Sequence, residues 1–324
     1  MGNFLSAKYV GKERIDGKCV VITGGNEGIG KYTALNLCKQ GGHIVIACRS
    51  VQKGKDVAKW IEEKLQHKEK HGDVKIVQLD LSSLTSVREC ADSILETEKR
   101  IDILINNAGV MFTPHKLSED GYEIQFATNH LGHFLFTLLL LPRILASRPA
   151  RIINLSSVAH YYCKSMEYED LNMVDDYSPF RAYTRSKAAN VLFTTELANR
   201  LKGRGVNVYA VHPGIVQTRL WKHSSDTICP GVTFIMDNLG FLFGKTPAQG
   251  AQTTLYCALS EEVDSESGFY YDNCRKKAPS EFVLNRDEAE LLFVKSSEYV
   301  NLSSDPYDPF TPDSFQEQMN RIEE

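Results

Sequence analysis

The sequence has no excess of basic charge. Its 37 Lys and Arg stand against 41 Asp and Glu, a net charge of −4 over 324 residues, so the electrostatic footprint of a nucleic-acid binder is missing. No C-x-x-C pair occurs among the eight cysteines, Cys19, Cys38, Cys48, Cys90, Cys163, Cys229, Cys257 and Cys274. Several lie in apolar runs, which suits buried free thiols in a reducing compartment rather than a disulfide framework. No apolar run approaches the ~18 residues of a membrane span; the longest, FLFTLLLLP at 134–142, reads as a core helix. The N-terminus MGNFLSAKYVGKERIDGK is too polar for a secretory signal, so the expected location is cytoplasmic or the cytosolic face of a membrane. Met1-Gly2 with Ser6 fits the N-myristoylation pattern, with a chance match as the plain alternative. One acyl chain anchors only marginally; Lys8, Lys12 and Arg14 would supply a weak second signal for peripheral membrane contact.

What is present is an alternation. Short β-rich apolar runs, KCVVIT (18–23), HIVIAC (43–48), VKIVQLD (74–80), DILINN (102–107), ARIINLSS (150–157) and VNVYAVHP (206–213), are separated by helical patterns. The runs are continuous rather than alternating, as in a parallel sheet covered on both faces. This predicts a Rossmann-type doubly wound α/β fold in one domain. We read residues 1–15 as an N-terminal segment, 16–299 as the domain and 300–324 as a polar, proline-spaced tail. A long helix is expected over about 122–145.

TGGNEGIGK, residues 23–31, lies between the first strand and the first helix. Glycines there permit a tight turn and close backbone approach, and the helix N-terminus offers N–H groups to a pyrophosphate. The rival, Gly25-x-x-x-x-Gly30-Lys31 as a phosphate loop, needs Ser or Thr next, and Tyr32 stands there. Arg49 ends the second strand, with Lys53 close by and no acid adjacent. A basic residue there suits the 2′-phosphate of NADP, so NADP(H) is favoured over NAD(H); Glu27 argues the other way.

RAYTRSKAANVLF, residues 181–193, sets Tyr183 and Lys187 four apart, on one helix face. Alone, such a pair is most often a solvated surface. An ammonium beside a phenol would lower the phenol's pKa from about 10, making Tyr183 a general acid in reduction and a general base in oxidation. A serine ending the fifth strand could bond the substrate oxygen; Ser156 and Ser157 point opposite ways there, and where the strand ends decides between them. His130 and His133 find no third ligand and no H-E-x-x-H, so they read as packing residues and no metal is expected. His160 and the tyrosines after it are placed at the cleft edge or on a surface loop.

Taken in order, these motifs resemble the short-chain dehydrogenases/reductases over roughly residues 16–275. TGGNEGIG looks like the family's cofactor loop, DLSS (80–83) its adenine-contacting segment, NNAG (106–109) its fourth-strand motif. NHLGHF carries its helix asparagine, INLSS its serine, YTRSK its tyrosine and lysine, and VHPG (211–214) its segment near the nicotinamide. The resemblance implies a catalytic set of Asn129, Ser157, Tyr183 and Lys187, with Asn129 holding a proton-relay water and Lys187 reaching the nicotinamide ribose. It implies cofactor contacts from Gly24, Asn26, Gly28, Ile29, Gly30, Arg49, Lys53, Asp80, Leu81, Asn107, Ala108, Gly109, Tyr183, Lys187, Pro213, Gly214 and Val216. ACRS, NHLGHF, SSVAH and AVHPGIV look most like the retinol dehydrogenase branch, types 11 to 14. That branch implies an NADP-linked enzyme for a lipophilic alcohol and its aldehyde or ketone, with a homodimer as a family tendency. Residues 214–245, with Trp221, Phe234, Ile235, Met236, Leu239, Phe241, Leu242 and Phe243, form either a lid over such a substrate or a core helix pair. The other class of function is a catalytically idle cofactor sensor or scaffold on the same fold.

Overall fold

The computed structural model describes residues 6–216 and 244–302; the myristoylation motif's Gly2, nearly all of the lid segment and nearly all of the tail lie outside them. Val300 and Leu302 are buried in the core, so the packed chain runs past the boundary expected at 299.

Strands β1 (Cys19–Thr23), β2 (His43–Cys48), β3 (Val74–Gln78), β4 (Ile103–Asn106), β5 (Ala150–Leu155), β6 (Val206–His212), β7 (Phe269–Asp272) and β8 (Arg275–Lys277) form one sheet in the order β3-β2-β1-β4-β5-β6-β7-β8. Every pairing is parallel except β7 with β8. Asn273 and Cys274, both in the left-handed region, close that last hairpin. The fifth strand stops at Leu155, two residues earlier than its apolar run suggests, because Ser157 already caps a 3-10 turn over Val158–Tyr162.

Alternate strand residues feed two cores, because successive side chains point to opposite faces. Val21, Val45, Leu104, Ile152 and Val208 meet α3 (Leu84–Thr97), α4 (Ile124–Ala146), α5 (Pro179–Arg200) and α7 (Arg286–Tyr299) on one face. Val20, Ile22, Ile44, Ile46, Ile105 and Ile153 meet α1 (Gly28–Lys39), α2 (Val51–Leu65) and α6 (Pro247–Leu259) on the other. The central strands are therefore apolar on both faces, as the continuous runs suggested. Helix α4 is long and apolar enough to cross a membrane, but its most apolar stretch is 83% buried inside the molecule. It is a core helix, as its sequence suggested. A π-helical turn, Ala127–Leu131, interrupts it and carries Asn129. Such turns are a rare departure, often found at functional sites.

Chain order reverses at β1, which pairs with β2 on one side and β4 on the other. Ligands of open α/β sheets bind beyond the strand ends at such a point. At the N-terminal edge, Lys8 and Lys12 are exposed while Arg14 pairs with Asp16, which reduces the basic signal expected there.

His130, His133, His160 and His212 are all buried, and burial holds each below the ordinary imidazole pKa. In the unfolded chain they titrate near about 6.5. Folded stability from these groups is therefore full above that pH and erodes as pH falls below it. The thermal midpoint should drop by about 5 °C or more between pH 7.5 and 5. Calorimetry showing no drop over that range would contradict neutral burial of these rings.

Candidate active site

The glycine loop is a cradle that side chains would fill. Gly24 (φ +65) and Gly28 (φ +54) adopt left-handed conformations that suit glycine. A Cβ on Gly30 would lie 2.4 Å from the Gly24 carbonyl oxygen and 2.6 Å from Asn107 Nδ2. Helix α1 opens with no side-chain bond from its N-cap, Glu27. Side chains of Ser50, Ser83, Glu123, Ser178, Thr246 and Asn285 cap the other long helices among the described residues. The first N–H groups of α1 are thus left for an anion. The cradle fits a dinucleotide pyrophosphate.

Thr23 ties this loop to the next strand. Its hydroxyl oxygen accepts from Asn107 N (2.9 Å) and Ala108 N (3.0 Å), while Asn107 Nδ2 donates to the Thr23 carbonyl (2.8 Å). The Asn107 side chain is thereby used inside the protein. Gly109 sits where a Cβ would lie 3.1 Å from Asn129 Oδ1 and 3.4 Å from Lys187 Nζ, so the NNAG strand end adjoins both of these side chains. Asn26 and Ile29 lie on the glycine loop and first turn of α1, partly exposed. Asp80 follows β3, with Oδ1 bonded to Ser82, and Leu81 is buried beneath α4 at Gly132. Arg49 is 79% exposed and 4.0 Å from Asp80, so the acid absent from its own strand comes from the next one. Lys53, exposed, lies in the first turn of α2. Pro213 and Gly214 follow β6, and the side chain of Val216 packs near Ile29 across Gly250.

Helix α5 brings the catalytic candidates together. Tyr183 and Lys187 are 6% and 5% exposed, and Lys187 Nζ lies 5.7 Å from the Tyr183 ring centroid. Burial pushes the Tyr183 phenol up to about 12, offset in part by the Ser157 hydroxyl bonded to it. Burial pulls the Lys187 ammonium down to about 8, although its Nζ donates to the Leu155 carbonyl at 3.2 Å. The phenol therefore stands above its ordinary value rather than below it: loss of hydration outweighs the bond from Ser157. A phenol so placed keeps its proton at neutral pH and is suited to give it away.

Ser157 reaches Tyr183, whereas Ser156 is buried and donates to the Lys187 carbonyl (2.7 Å). The alternation rule separates the two serines as expected. The side chain of Asn129 is committed within the protein. Its Oδ1 accepts from Val110 N (2.8 Å), and its Nδ2 donates to Val110 O and Ser186 Oγ (both 2.9 Å). Those bonds occupy the side chain in holding the strand end to α5, leaving the main-chain carbonyl as the group a relay water would use.

Two polar residues are buried where their sequence context suggests none. His160 is not at the cleft edge: it is fully buried, its Nδ1 2.6 Å from the Ser157 carbonyl and its Nε2 accepting from Ser280 N (3.1 Å). That fixes its proton on Nδ1 and pins Ser157 from behind. Arg185, 1% exposed, bonds the carbonyls of Met166, Asp170 and Leu171, clamping the loop beyond Ser157 to α5. An arginine in YTRSK gives no sequence signal of burial; only its place between Tyr183 and Lys187, on a helix packed all round, could have hinted at it. Among the described residues one trio has metal-ligand chemistry, Cys19, His43 and Glu98. It lies where β1 and β2 begin, at the opposite end of the strands from the glycine loop, and Lys75 already pairs with Glu98 at 2.7 Å.

A nucleotide cradle at the switch point, with a phenol, an ammonium and a hydroxyl converging beside it, defines a dinucleotide-dependent dehydrogenase or reductase. The short chain dehydrogenase family model matches residues 18–228. Retinol dehydrogenase 13 of Homo sapiens is 46% identical over 90% of this chain and 87% of its own length. Retinol dehydrogenase 12 of Homo sapiens is 45% identical over 89% and 88%. Among solved structures, an uncharacterized protein from Mycobacterium Paratuberculosis superposes with a TM-score of 0.69 at 32% identity, covering 89% of this chain and 95% of that one. The chain belongs to the short-chain dehydrogenase/reductase family, in the branch of retinol dehydrogenases 11 to 14. It is an oxidoreductase with a nicotinamide-cofactor fold.

Replacing Tyr183 by Phe keeps the ring and its packing and removes only the hydroxyl. Turnover should fall by about 100-fold or more, with the thermal midpoint within about 2 °C of the parent. Steady-state rates and a melting curve check this together; retained turnover would remove Tyr183 from the chemistry.

Proposed function

We propose that the protein interconverts a lipophilic aldehyde or ketone and its alcohol, in the retinoid class, using NADP(H). The observation that carries this is the apolar approach to Tyr183. Met111, Phe112 and Ala159 enclose its ring, and Phe112 meets it edge-on at 5.6 Å. Phe180 continues from Phe112 at 6.2 Å, and Tyr162 from Phe180 at 5.5 Å. Phe180 and Tyr162 are 44% and 65% exposed. Large aromatics left in contact with water beside a buried proton donor favour a long apolar substrate. Phe112 holds a left-handed backbone (φ 52), which a non-glycine residue adopts at some cost. Gln125 fixes it there by accepting from its N–H at 2.8 Å, while its own Nε2 donates to Tyr177 and Pro179. The names of the human relatives support a retinoid-like substrate for this chain as well.

The chain's own groups divide the work as follows. Tyr183 gives its proton to the carbonyl oxygen as negative charge develops there, and Ser157 bonds the same oxygen. Lys187, charged below about pH 8, offsets the charge left on the phenolate. The glycine loop, the free N–H groups of α1 and the NNAG strand end would hold the cofactor, which supplies the hydride to the carbonyl carbon. The phenol keeps its proton at neutral pH and so is ready to donate it; a cell that keeps NADPH reduced would then run the reaction towards the alcohol.

The preference for NADP(H) rests on Arg49. Its guanidinium is exposed at the end of β2, and its acidic neighbour, Asp80, is 4.0 Å away and partly engaged by Ser82. Glu27 is exposed on the loop and makes no side-chain capping bond. With retinal or a medium-chain aldehyde, kcat/KM for NADPH should exceed that for NADH by about tenfold or more. Arg49→Gln should raise the KM for NADPH and leave that for NADH alone. Equal rates with both cofactors, unmoved by that change, would overturn the assignment.

A further inference from the structure

His133 lies in the first turn of α4 beyond the π-helical turn, 2% exposed. Its protonation can be read from its neighbours. The Thr23 hydroxyl oxygen already accepts two backbone N–H groups, from Asn107 and Ala108. A hydroxyl has two lone pairs and one proton. With both pairs engaged, Thr23 must donate that proton to His133 Nε2, 2.8 Å away. Nε2 is therefore bare. The ring's own proton sits on Nδ1, which lies 3.1 Å from the Asn129 carbonyl oxygen and donates to it. Burial keeps the ring neutral, in agreement with this pattern.

The result is a chain of hydrogen bonds with one direction. It runs from the N–H groups of the NNAG strand end, through the Thr23 hydroxyl at the lip of the glycine loop, through the imidazole, to the carbonyl of Asn129. The Asn129 side chain then holds Val110 and Ser186, next to Lys187. We propose that His133 is a positioning residue: it locks the carbonyl of Asn129 in register with the cofactor cradle, so that α4 and the glycine loop meet α5 at one fixed spacing. This rests on the reductase reading above and deepens it. Neither the packing role nor the metal role considered for this histidine from the sequence predicts a fixed tautomer.

The two bonds can be separated, because asparagine places its amide nitrogen close to Nδ1 and glutamine places its amide oxygen close to Nε2. His133→Asn keeps a donor for Asn129 and abandons Thr23. Cofactor affinity, measured by fluorescence titration, should fall by about tenfold, the size of one lost hydrogen bond. Its kcat should stay within about threefold of the parent. His133→Gln keeps the Thr23 bond and abandons Asn129. Its kcat should fall about tenfold with cofactor affinity nearly unchanged. Equal losses in both variants, or losses that follow only the thermal midpoint, would reduce His133 to packing and overturn the proposal; so would no change in either. Nitrogen-15 histidine NMR of the parent gives an answer that needs neither variants nor turnover. His133 should show the neutral Nδ1–H tautomer from pH 5.5 to 8, and an Nε2–H tautomer or an imidazolium would overturn the proposal. If the parent turned over no carbonyl substrate, the functional reading would fail, while the NMR and affinity measurements would still decide His133.

Discussion

The exclusion of water from Tyr183 and Lys187 governs the rest of the site. A phenol and an ammonium one helical turn apart would each titrate ordinarily at a surface. Here α5 is packed on nearly all sides between Ala182 and Phe193, and both groups lose hydration. The phenol is pushed up and the ammonium down. An unpaired buried charge is costly, so each group needs a fixed partner. Ser157 serves the phenol, and the Leu155 carbonyl serves the ammonium and also Asn190 Nδ2. These partners come from the end of β5, which is why the strand must stop at Leu155 and turn.

The same need for satisfied polar groups runs through the middle of the sheet. Asn106 on β4 donates to Thr137 on α4 and to Asn154 on β5, each at 2.8 Å, and Asn154 donates to Thr194 on α5 at 2.9 Å. The ladder joins two central strands to the two helices that carry Asn129 and Tyr183. The paired members of such a network fix one arrangement of the elements they join, although Asn106 Oδ1 is buried with no hydrogen-bond partner. Behind it, His160 and His133 each donate Nδ1–H to the carbonyl of a candidate catalytic residue, Ser157 and Asn129. The site is thus held from the rear by neutral imidazoles.

Much of this was legible in the sequence, because it rests on local pattern. Continuous apolar runs gave six strands to within two residues of their ends, and the position of TGGNEGIG between a strand and a helix marked the cradle. Alternation set Ser156 and Ser157 on opposite sides, and the family resemblance chose Ser157. What the sequence hid depends on the surroundings of a side chain. Whether a lysine lowers a tyrosine's pKa depends on the water left around both, and four-residue spacing does not report it. Arg185 and His160 look like surface residues in sequence because polar side chains usually are; here, long-range partners at Met166, Leu171 and Ser280 bury them. The short β7 and β8 pair lacked a strong period and went unread, and Asn129 gave no sign of the π-helical turn around it.

The pH dependence of carbonyl reduction tests the central claim most directly. A phenol held protonated by burial, with an ammonium that titrates near pH 8 beside it, predicts a kcat/KM for reduction that is level from pH 6 to about 7.5 and declines above about 8. A rate that instead falls steadily from pH 6 upward would mean that the phenol ionises near neutrality, and that burial does not set its proton affinity.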